Sequence, residues 1–304
     1  MKVAIAGGTG FVGKALTAEL LKNGYDVYIL TRNTNGKTNT EHKKYVKWMT
    51  ADATPEHDLQ DVKVFINLAG ESLNSGRWTK ERKQRILDSR ISSTTEMIRI
   101  MKQLPNKPEV FVNASAIGYY PISNTETFTE ASKTVGTGFL AHTVKLWEET
   151  AQQAEEIGIR TVLTRFGVIL GKEDGALPRM ALPYQLFAGG KIGSGKQWMS
   201  WIHLTDVARA ILFAIENKDI HGPLNVTAPT PKMMDQLGRS LAKTLHRPHW
   251  LFVPSIALKI ILGEMSTLVL DGQKVLPEKL LTHQFTFRFP DIDAALQDIY
   301  TKKG

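Results

Sequence analysis

Few folds can accommodate the first thirteen residues of this chain, in which an apolar run, residues 3–6, leads straight into a glycine-punctuated turn and then into a helical pattern. Val3, Ala4, Ile5 and Ala6 suit a strand buried on both faces of a parallel sheet. Gly7 permits a tight turn, Gly10 lets backbone amides approach a pyrophosphate with no Cβ in the way, and Gly13 allows the next helix to lie close to the strand. The start of that helix offers N–H groups and a favourable dipole to an anion. Val12, Ala15, Leu16 and Leu20 recur at helical spacing, Gly24 is placed to end the helix, and residues 27–30 read as a second strand. Strand, glycine trio, helix and strand in that order predict a dinucleotide-binding unit. Its turn contributes Gly7, Thr9, Gly10, Phe11, Val12 and Gly13 to the expected site.

The end of the second strand decides which dinucleotide fits. A chain that holds NAD(H) places Asp or Glu there for the ribose hydroxyls; this one has Thr31, Arg32 and Asn33. Arg32 suits pairing with a 2′-phosphate and stacking of its flat guanidinium on adenine, so NADP(H) is favoured over NAD(H). Asp52, after a further strand at residues 46–48, is a candidate acceptor for the adenine amino group. Leu68, Ala69 and Gly70 close the strand at residues 64–67 with small or apolar side chains, where bulk would collide with a cofactor.

Length and composition narrow the rest. A chain of 304 residues buries a full core and holds one large or two unequal domains. It has no cysteine, which excludes disulfides and thiolate metal sites and agrees with a reducing cytoplasm. With a core strand already at residues 3–6, no cleaved leader is expected. The most apolar stretch, residues 256–262, is too short to span a bilayer, and no membrane partner is expected. The net charge of +8 raises nucleic acid as a partner, but Lys and Arg are scattered among acids. A small-molecule substrate together with a polyanionic cofactor is the expected pairing, with no nucleic acid and no metal.

Strand and helix signals alternate onward: a long helix at residues 79–103 with Leu87, Ile91, Thr94, Ile98 and Met101 on one stripe, a strand at 110–115, a helix at 139–157 and a strand at 161–166. These predict an α/β, doubly wound, Rossmann-like parallel sheet over residues 1–170. Residues 171–304 form a smaller C-terminal, substrate-side lobe that returns elements to the sheet.

The glycine turn, residues 67–70, Ser115 to Tyr120, Arg165 to Gly171 and Trp201 to Ala208 together resemble the extended short-chain dehydrogenase/reductase superfamily over nearly the whole chain. Residues 69–71, 76–79, 89–90 and 115–120, the Phe139-Leu-Ala141 run with Trp147 and Glu148, and a tail from Leu262 through Pro277 resemble its atypical epimerase-family branch. Members of that branch are described as nucleoside-diphosphate-sugar epimerases or cell-division-inhibitor-like proteins and carry a short C-terminal domain of unassigned function.

That resemblance implies a catalytic tyrosine, a lysine four residues later that holds the nicotinamide ribose, and a Ser or Thr that orients the substrate oxygen. Lys145 is the matching lysine, but Ala141 stands where the tyrosine belongs. Counting back four residues from Tyr120, as a Ser-x-x-x-Tyr pattern suggests, lands on Ala116, one place after Ser115. Two repairs follow: Tyr119 or Tyr120 takes the proton-transfer role beside Ser115, or Glu71, Arg77 or Glu148 carries acid/base work. The leading expectation is an NADP(H)-dependent oxidoreductase or epimerase-like enzyme lacking the Tyr-x-x-x-Lys pair. The alternatives are a non-catalytic NADP(H)-binding sensor and, more weakly, a nucleic-acid binder.

Three decoys are set aside. Residues 190–196 match the spacing of a nucleoside-triphosphate loop, but Gln197 stands where Ser or Thr must hold magnesium, so the segment reads as a flexible loop at the substrate edge. His203 with Asp206 reads as structural, and His246 and His249 form no credible metal set. Trp78 beside Arg77 reads as a half-buried ring at a capped helix start.

Overall fold

A computed structural model describes residues 1–301. Seven parallel strands form the main sheet: β1 (Lys2–Ala6), β2 (Asp26–Thr31), β3 (Lys43–Lys47), β4 (Val64–Asn67), β5 (Val110–Ala116), β6 (Arg160–Phe166) and β7 (Gly222–Val226). Their spatial order is β7-β6-β5-β4-β1-β2-β3, and every neighbouring pair is parallel. The order reverses between β1 and β4, the place where open α/β sheets receive ligands at the carboxyl ends of their strands.

Both faces of the sheet are apolar, as crossover helices require. On one face Val3, Ile5, Val27, Ile29, Val64, Ile66 and Val112 are buried with Leu16 and Leu20 of α1 (Phe11–Lys22) and with Ile211 of the helix Leu204–Glu216. On the other, Ala4, Ala6, Leu30, Phe65 and Phe111 are buried with Met97 and Met101 of α2 (Lys80–Gln103) and with Ala151 of α3 (Gly138–Gln152). Several elements from beyond residue 170 thus belong to this first core, among them the helix Leu204–Glu216, the edge strand β7, and the helix Glu278–Thr282 through Leu280. The C-terminal lobe has its own core, in which Leu177, Tyr184, Trp201, Leu237, Leu241, Leu296 and Ile299 are buried.

Several local expectations shift. The third strand lies at Lys43–Lys47 rather than 46–48, because its half-exposed lysines hide an edge strand from a search for apolar runs. The buried stripe of α2 runs through Ile86, Thr94, Met97, Ile98 and Met101, so Leu87 and Ile91 sit at its margin. Helix α3 stops at Gln152, and residues 155–157 form a separate single turn. Residues 190–196 are ordered by pairing rather than flexible: Gly190–Ile192 pairs in parallel with Leu251–Val253, and a Cβ on Gly190 would fall 1.8 Å from the Leu251 carbonyl oxygen.

Candidate cofactor and active site

At the start of α1, backbone geometry requires the glycines. Gly7 has φ +78°, and a Cβ there would lie 2.7 Å from the Leu68 carbonyl. A Cβ on Gly13 would fall 2.2 Å from the Gly7 carbonyl oxygen, so any larger residue pushes the helix off the turn. The Gly10 amide closes the turn on the Gly7 carbonyl at 3.0 Å, and no side chain caps the helix. The first helical amides therefore remain available to an anion. The Phe11 ring packs on Gly171 and Gly175 of the lobe, where a Cβ on Gly171 would meet it at 2.5 Å. Thr9 is exposed on the turn and Val12 is half-buried behind it.

Arg32 is exposed at the end of β2, with no hydrogen-bond acceptor among the described residues, while Thr31 Oγ1 donates to the Asn33 carbonyl at 3.0 Å. Asp52 is also exposed; its carboxylate accepts from Lys47 Nζ at 2.6 Å and Thr50 Oγ1 at 3.0 Å, and the Lys47 hydrogen bond holds its pKa below the usual range. Beside it, Met49, Thr50 and Ala53 face Ile91 and Thr95 across an open groove of about 600 Å³. The wall at residues 68–70 is set by buried Asn67, whose Oδ1 accepts from the Ala69 amide at 3.1 Å. Its Nδ2 donates to Thr94 Oγ1 and Asn113 Oδ1, each at 2.9 Å, and Trp147 Nε1 donates to the same Thr94 at 3.0 Å. This buried chain ties β4, β5, α2 and α3 together behind the site. Gly70 abuts Arg90, whose guanidinium lies over the Trp147 ring at 5.1 Å and is pushed down to about 10 by burial. Arg90, Asn67, Thr94 and Trp147 all stand in the segments that carry the family resemblance or the helix stripe, but the sequence assigns Arg90 no role and does not connect the others.

At the carboxyl ends of β5 and β6 lies a second cluster, buried and built from side chains. Arg165 grips Glu148 with two hydrogen bonds, Nε to Oε1 and Nη2 to Oε2, both 2.7 Å, with the two side chains 3% and 6% exposed. Burial opposes the charge on Arg165, but the Glu148 carboxylate and the Tyr120 oxygen more than offset it, and its pKa is raised. Ser115 donates to Glu148 Oε1 at 2.5 Å. The Tyr120 hydroxyl accepts from Arg165 at 2.9 Å and lies 2.8 Å from Asn225 Oδ1 and 3.0 Å from the Thr129 carbonyl. Tyr120 is thus buried, its hydroxyl is surrounded by partners, and burial raises its pKa.

Tyr119 differs. Its ring lies 3.6 Å from the Arg165 guanidinium carbon and edge-on to Tyr120, it is half-buried, and its hydroxyl has no hydrogen-bond partner among the described residues. Ser115 is four residues before Tyr119, so the Ser-x-x-x-Tyr spacing is intact when counted from Tyr119 and disturbed only when counted from Tyr120. The signal that would have revealed the cluster was Arg165 itself. A charge inside a strand buried on both faces demands a counter-charge, and Glu148 supplies it from the apolar face of α3, in line with Ala141 and Val144.

The other candidates are engaged elsewhere. Glu71 is ion-paired with buried Arg82, which also donates to the Ser72 carbonyl at 2.6 Å and Ser75 Oγ at 2.7 Å. Arg77 donates to the Ile261 and Ile260 carbonyls at 2.8 and 3.3 Å, closing the end of the helix Ser255–Leu262. Its guanidinium is thus turned to main-chain carbonyls of that helix rather than toward Ser115. Lys145 is half exposed, 3.7 Å from Glu149 at helical spacing, and that pairing accounts for its position without a cofactor. Trp78 is buried against Phe139, and Thr79 caps α2 by accepting from the Arg82 amide at 3.2 Å. Asp206 accepts from the Arg288 and Phe289 amides at 2.8 Å each, which anchors the C-terminal segment. Among the described residues no group of His, Asp and Glu is arranged to hold a metal, and no helix is long and apolar enough to cross a membrane.

Residues 3–226 match the model of the NAD dependent epimerase/dehydratase family, and residues 253–299 match a domain of unknown function, DUF1731. The chain is 49% identical over 299 residues to the epimerase family protein YfhF of Bacillus subtilis (strain 168), with 98% of each covered. It is 46% identical to the epimerase family protein SAR0825 of Staphylococcus aureus (strain MRSA252), again with 98% of each covered. Among solved structures, human epimerase family protein SDR39U1 with NADPH superposes over the full length of both chains, with a TM-score of 0.87 and 29% identity. A nucleoside-diphosphate sugar epimerase from Corynebacterium glutamicum gives 0.78 at 31% identity, over 98% of this chain and 58% of that one. A UDP-glucuronic acid 4-epimerase from Bacillus cereus, at 18% identity and 0.79, shares the fold. With a family model matched over most of its length and relatives this similar, the chain belongs to the NAD dependent epimerase/dehydratase family.

Proposed function

We infer that the protein is an NADP(H)-dependent oxidoreductase or epimerase whose proton-handling group is Tyr119, with Ser115 beside it. The observation that carries this reading is half-buried Tyr119, whose hydroxyl has no partner among the described residues, with Ser115 four residues earlier at the carboxyl end of β5. The uncapped glycine turn fits the pyrophosphate of a dinucleotide, the groove beside Asp52 suits the adenine, and exposed Arg32 suits a 2′-phosphate. NADPH in the human relative and NAD in the Bacillus cereus epimerase support a nicotinamide cofactor. When bound, it would supply the hydride acceptor or donor.

In this reading Glu148 and Arg165 act on Ser115 rather than on substrate. Glu148 takes the Ser115 proton in a hydrogen bond, which turns the serine lone pairs outward as acceptors for a substrate hydroxyl. Tyr119 moves the proton at the substrate oxygen. A cytoplasmic location agrees with the absence of cysteine.

A second reading, a non-catalytic NADP(H)-binding sensor, is favoured by Ala141, which lies buried where the family places its tyrosine. Calorimetric titration with NADPH and NADH tests the cofactor: Arg32→Asp is expected to weaken NADPH about tenfold or more while sparing NADH, and equal weakening removes the 2′-phosphate assignment. NADPH absorbance over a metabolite panel, paired with product analysis because epimerisation regenerates the cofactor, tests for catalysis. An activity that survives Tyr119→Phe undiminished rules out that tyrosine.

A further inference from the structure

The helix Ser255–Leu262 is the most apolar segment of the chain, yet none of its residues is buried. Ile256, Ile260 and Ile261 are 70%, 71% and 61% exposed. Trp250 and Phe252, on the segment that leads into this helix, are exposed as well, as are Leu182, Leu186 and Phe187 at the end of the helix Leu177–Gln185. Trp250 Nε1 donates to the Phe187 carbonyl at 2.9 Å, which joins the two stretches. A fully covered aromatic residue accounts for about 150–250 Å². At 57%, 62% and 68% exposure, Phe187, Phe252 and Trp250 present roughly 280–470 Å² together, within the ~300–600 Å² of the largest apolar patch on an ordinary monomer, and five aliphatic side chains add to it. The surface is held in place rather than loose, because Arg77 binds the end of its helix through two carbonyls.

Its charge is one-signed. Residues 177–196 and 243–262, which carry the whole surface, contain Arg179, Lys191, Lys196, Lys243, Arg247 and Lys259 and no Asp or Glu. The basic groups stand among the apolar ones: Lys191 is the cross-strand partner of Phe252, the Arg247 guanidinium lies 4.6 Å from the Phe187 ring centre, and Lys259 is exposed between Ile256 and Ile260. Of the acids around these stretches, Asp235 is paired with His249 and Arg239 and Glu264 with Lys83, while Glu173 and Asp174 precede the first stretch and Asp271 lies within electrostatic reach of Lys259.

We propose that this face docks the protein on an anionic lipid bilayer, with Trp250, Phe252, Ile256 and Ile260 entering the headgroup boundary and the lysines and arginines meeting lipid phosphates. Aromatic and aliphatic side chains on one face with basic residues around them are the composition of an interfacial membrane contact. A second copy of the chain fits worse, since a two-fold contact would set each basic cluster against itself. This contact is peripheral and revises the expectation of no membrane partner, which rested on the lack of a spanning segment.

The test is co-sedimentation of the full chain with vesicles of phosphatidylcholine alone and of phosphatidylcholine with phosphatidylglycerol, at low and at physiological salt. Binding is expected only to the anionic vesicles and is expected to weaken with salt. Ile256→Glu with Ile260→Glu, and separately Lys191→Gln with Lys259→Gln, should each reduce partitioning about tenfold or more. All four side chains are exposed, so the melting temperature should hold; Trp250→Ser with Phe252→Ser is the substitute pair if the isoleucine variant does not fold. Absence of binding to either vesicle, equal binding to both, or binding that survives the isoleucine and lysine variants overturns the proposal. So does a dimer in sedimentation velocity that the isoleucine variant abolishes while vesicles remain unbound, which would assign the face to a second copy.

Discussion

The turn at residues 7–13 and the cluster around Arg165 lie at the same edge of one sheet, yet they are specified in opposite ways. The turn is a backbone object: its tolerances are the 2.2 Å that a Cβ on Gly13 would leave to the Gly7 carbonyl and the positive φ of Gly7. The cluster is a side-chain object in which Ser115, Glu148, Arg165, Tyr120 and Asn225 satisfy one another's charge and hydrogen bonds across 110 residues of chain. The contrast teaches that a binding device can be local and legible while the chemistry above it is assembled only by the fold.

If the cluster is a mutually dependent unit, breaking it is the most costly change in the nucleotide-binding half. Glu148→Ala leaves Arg165 charged and unpaired in the interior and is expected to lower stability by about 3–5 kcal/mol in urea unfolding. Glu148→Leu combined with Arg165→Met should be less damaging than either change alone, because no buried charge remains; additive losses would show that the two residues do not act as a pair. At the turn, Gly13→Ala forces the helix away from the Gly7 carbonyl, with an expected loss of about 3 kcal/mol and of measurable NADPH binding in calorimetry. Because the turn is local, Gly13→Ala and Glu148→Ala should combine additively.

The next effect separates the two adjacent tyrosines. Tyr120→Phe removes a hydroxyl that Arg165 and Asn225 both meet and should cost about 1–2 kcal/mol, while Tyr119→Phe removes a hydroxyl with no partner among the described residues and should leave the melting temperature within about 1 °C. If Tyr119→Phe proves the more destabilising, the roles proposed for the two phenols are reversed.

The same contrast explains what the sequence disclosed. β1, α1, β2 and β4 were legible because each buries an apolar run or stripe in nearly uninterrupted sequence, and Gly7 and Gly13 because steric exclusion leaves no substitute. β3 was misplaced because Lys43, Lys44 and Lys47 leave an edge strand without an apolar pattern. Residues 190–196 seemed loose because the strand that orders them, Leu251–Val253, arrives sixty residues later. The family resemblance identified Ser115, but counting from Tyr120 rather than Tyr119 hid an intact spacing. Arg165 stands in a motif of the family resemblance with no role of its own, since nothing in a one-dimensional string puts Glu148 opposite it.

The smallest effect lies at the rim of the cluster and tests how far its low-dielectric character extends. Glu130 Oε1 accepts from the Asn225 amide at 2.9 Å, while its buried Oε2 has no partner among the described residues, and burial raises its pKa. A carboxyl with a raised folded-state pKa binds its proton more tightly folded than unfolded, so the native chain gains stability as pH falls through that folded pKa toward the unfolded value of about 4.3. Glu130→Gln keeps the acceptor for Asn225 and lacks the titration. It should be more stable than the native chain at pH 8 by no more than about 1 kcal/mol, and that advantage should shrink as pH falls toward 5. Urea unfolding of both proteins across this range reads the difference directly. An advantage constant with pH would place Glu130 in water, and the side-chain unit would then end at Asn225.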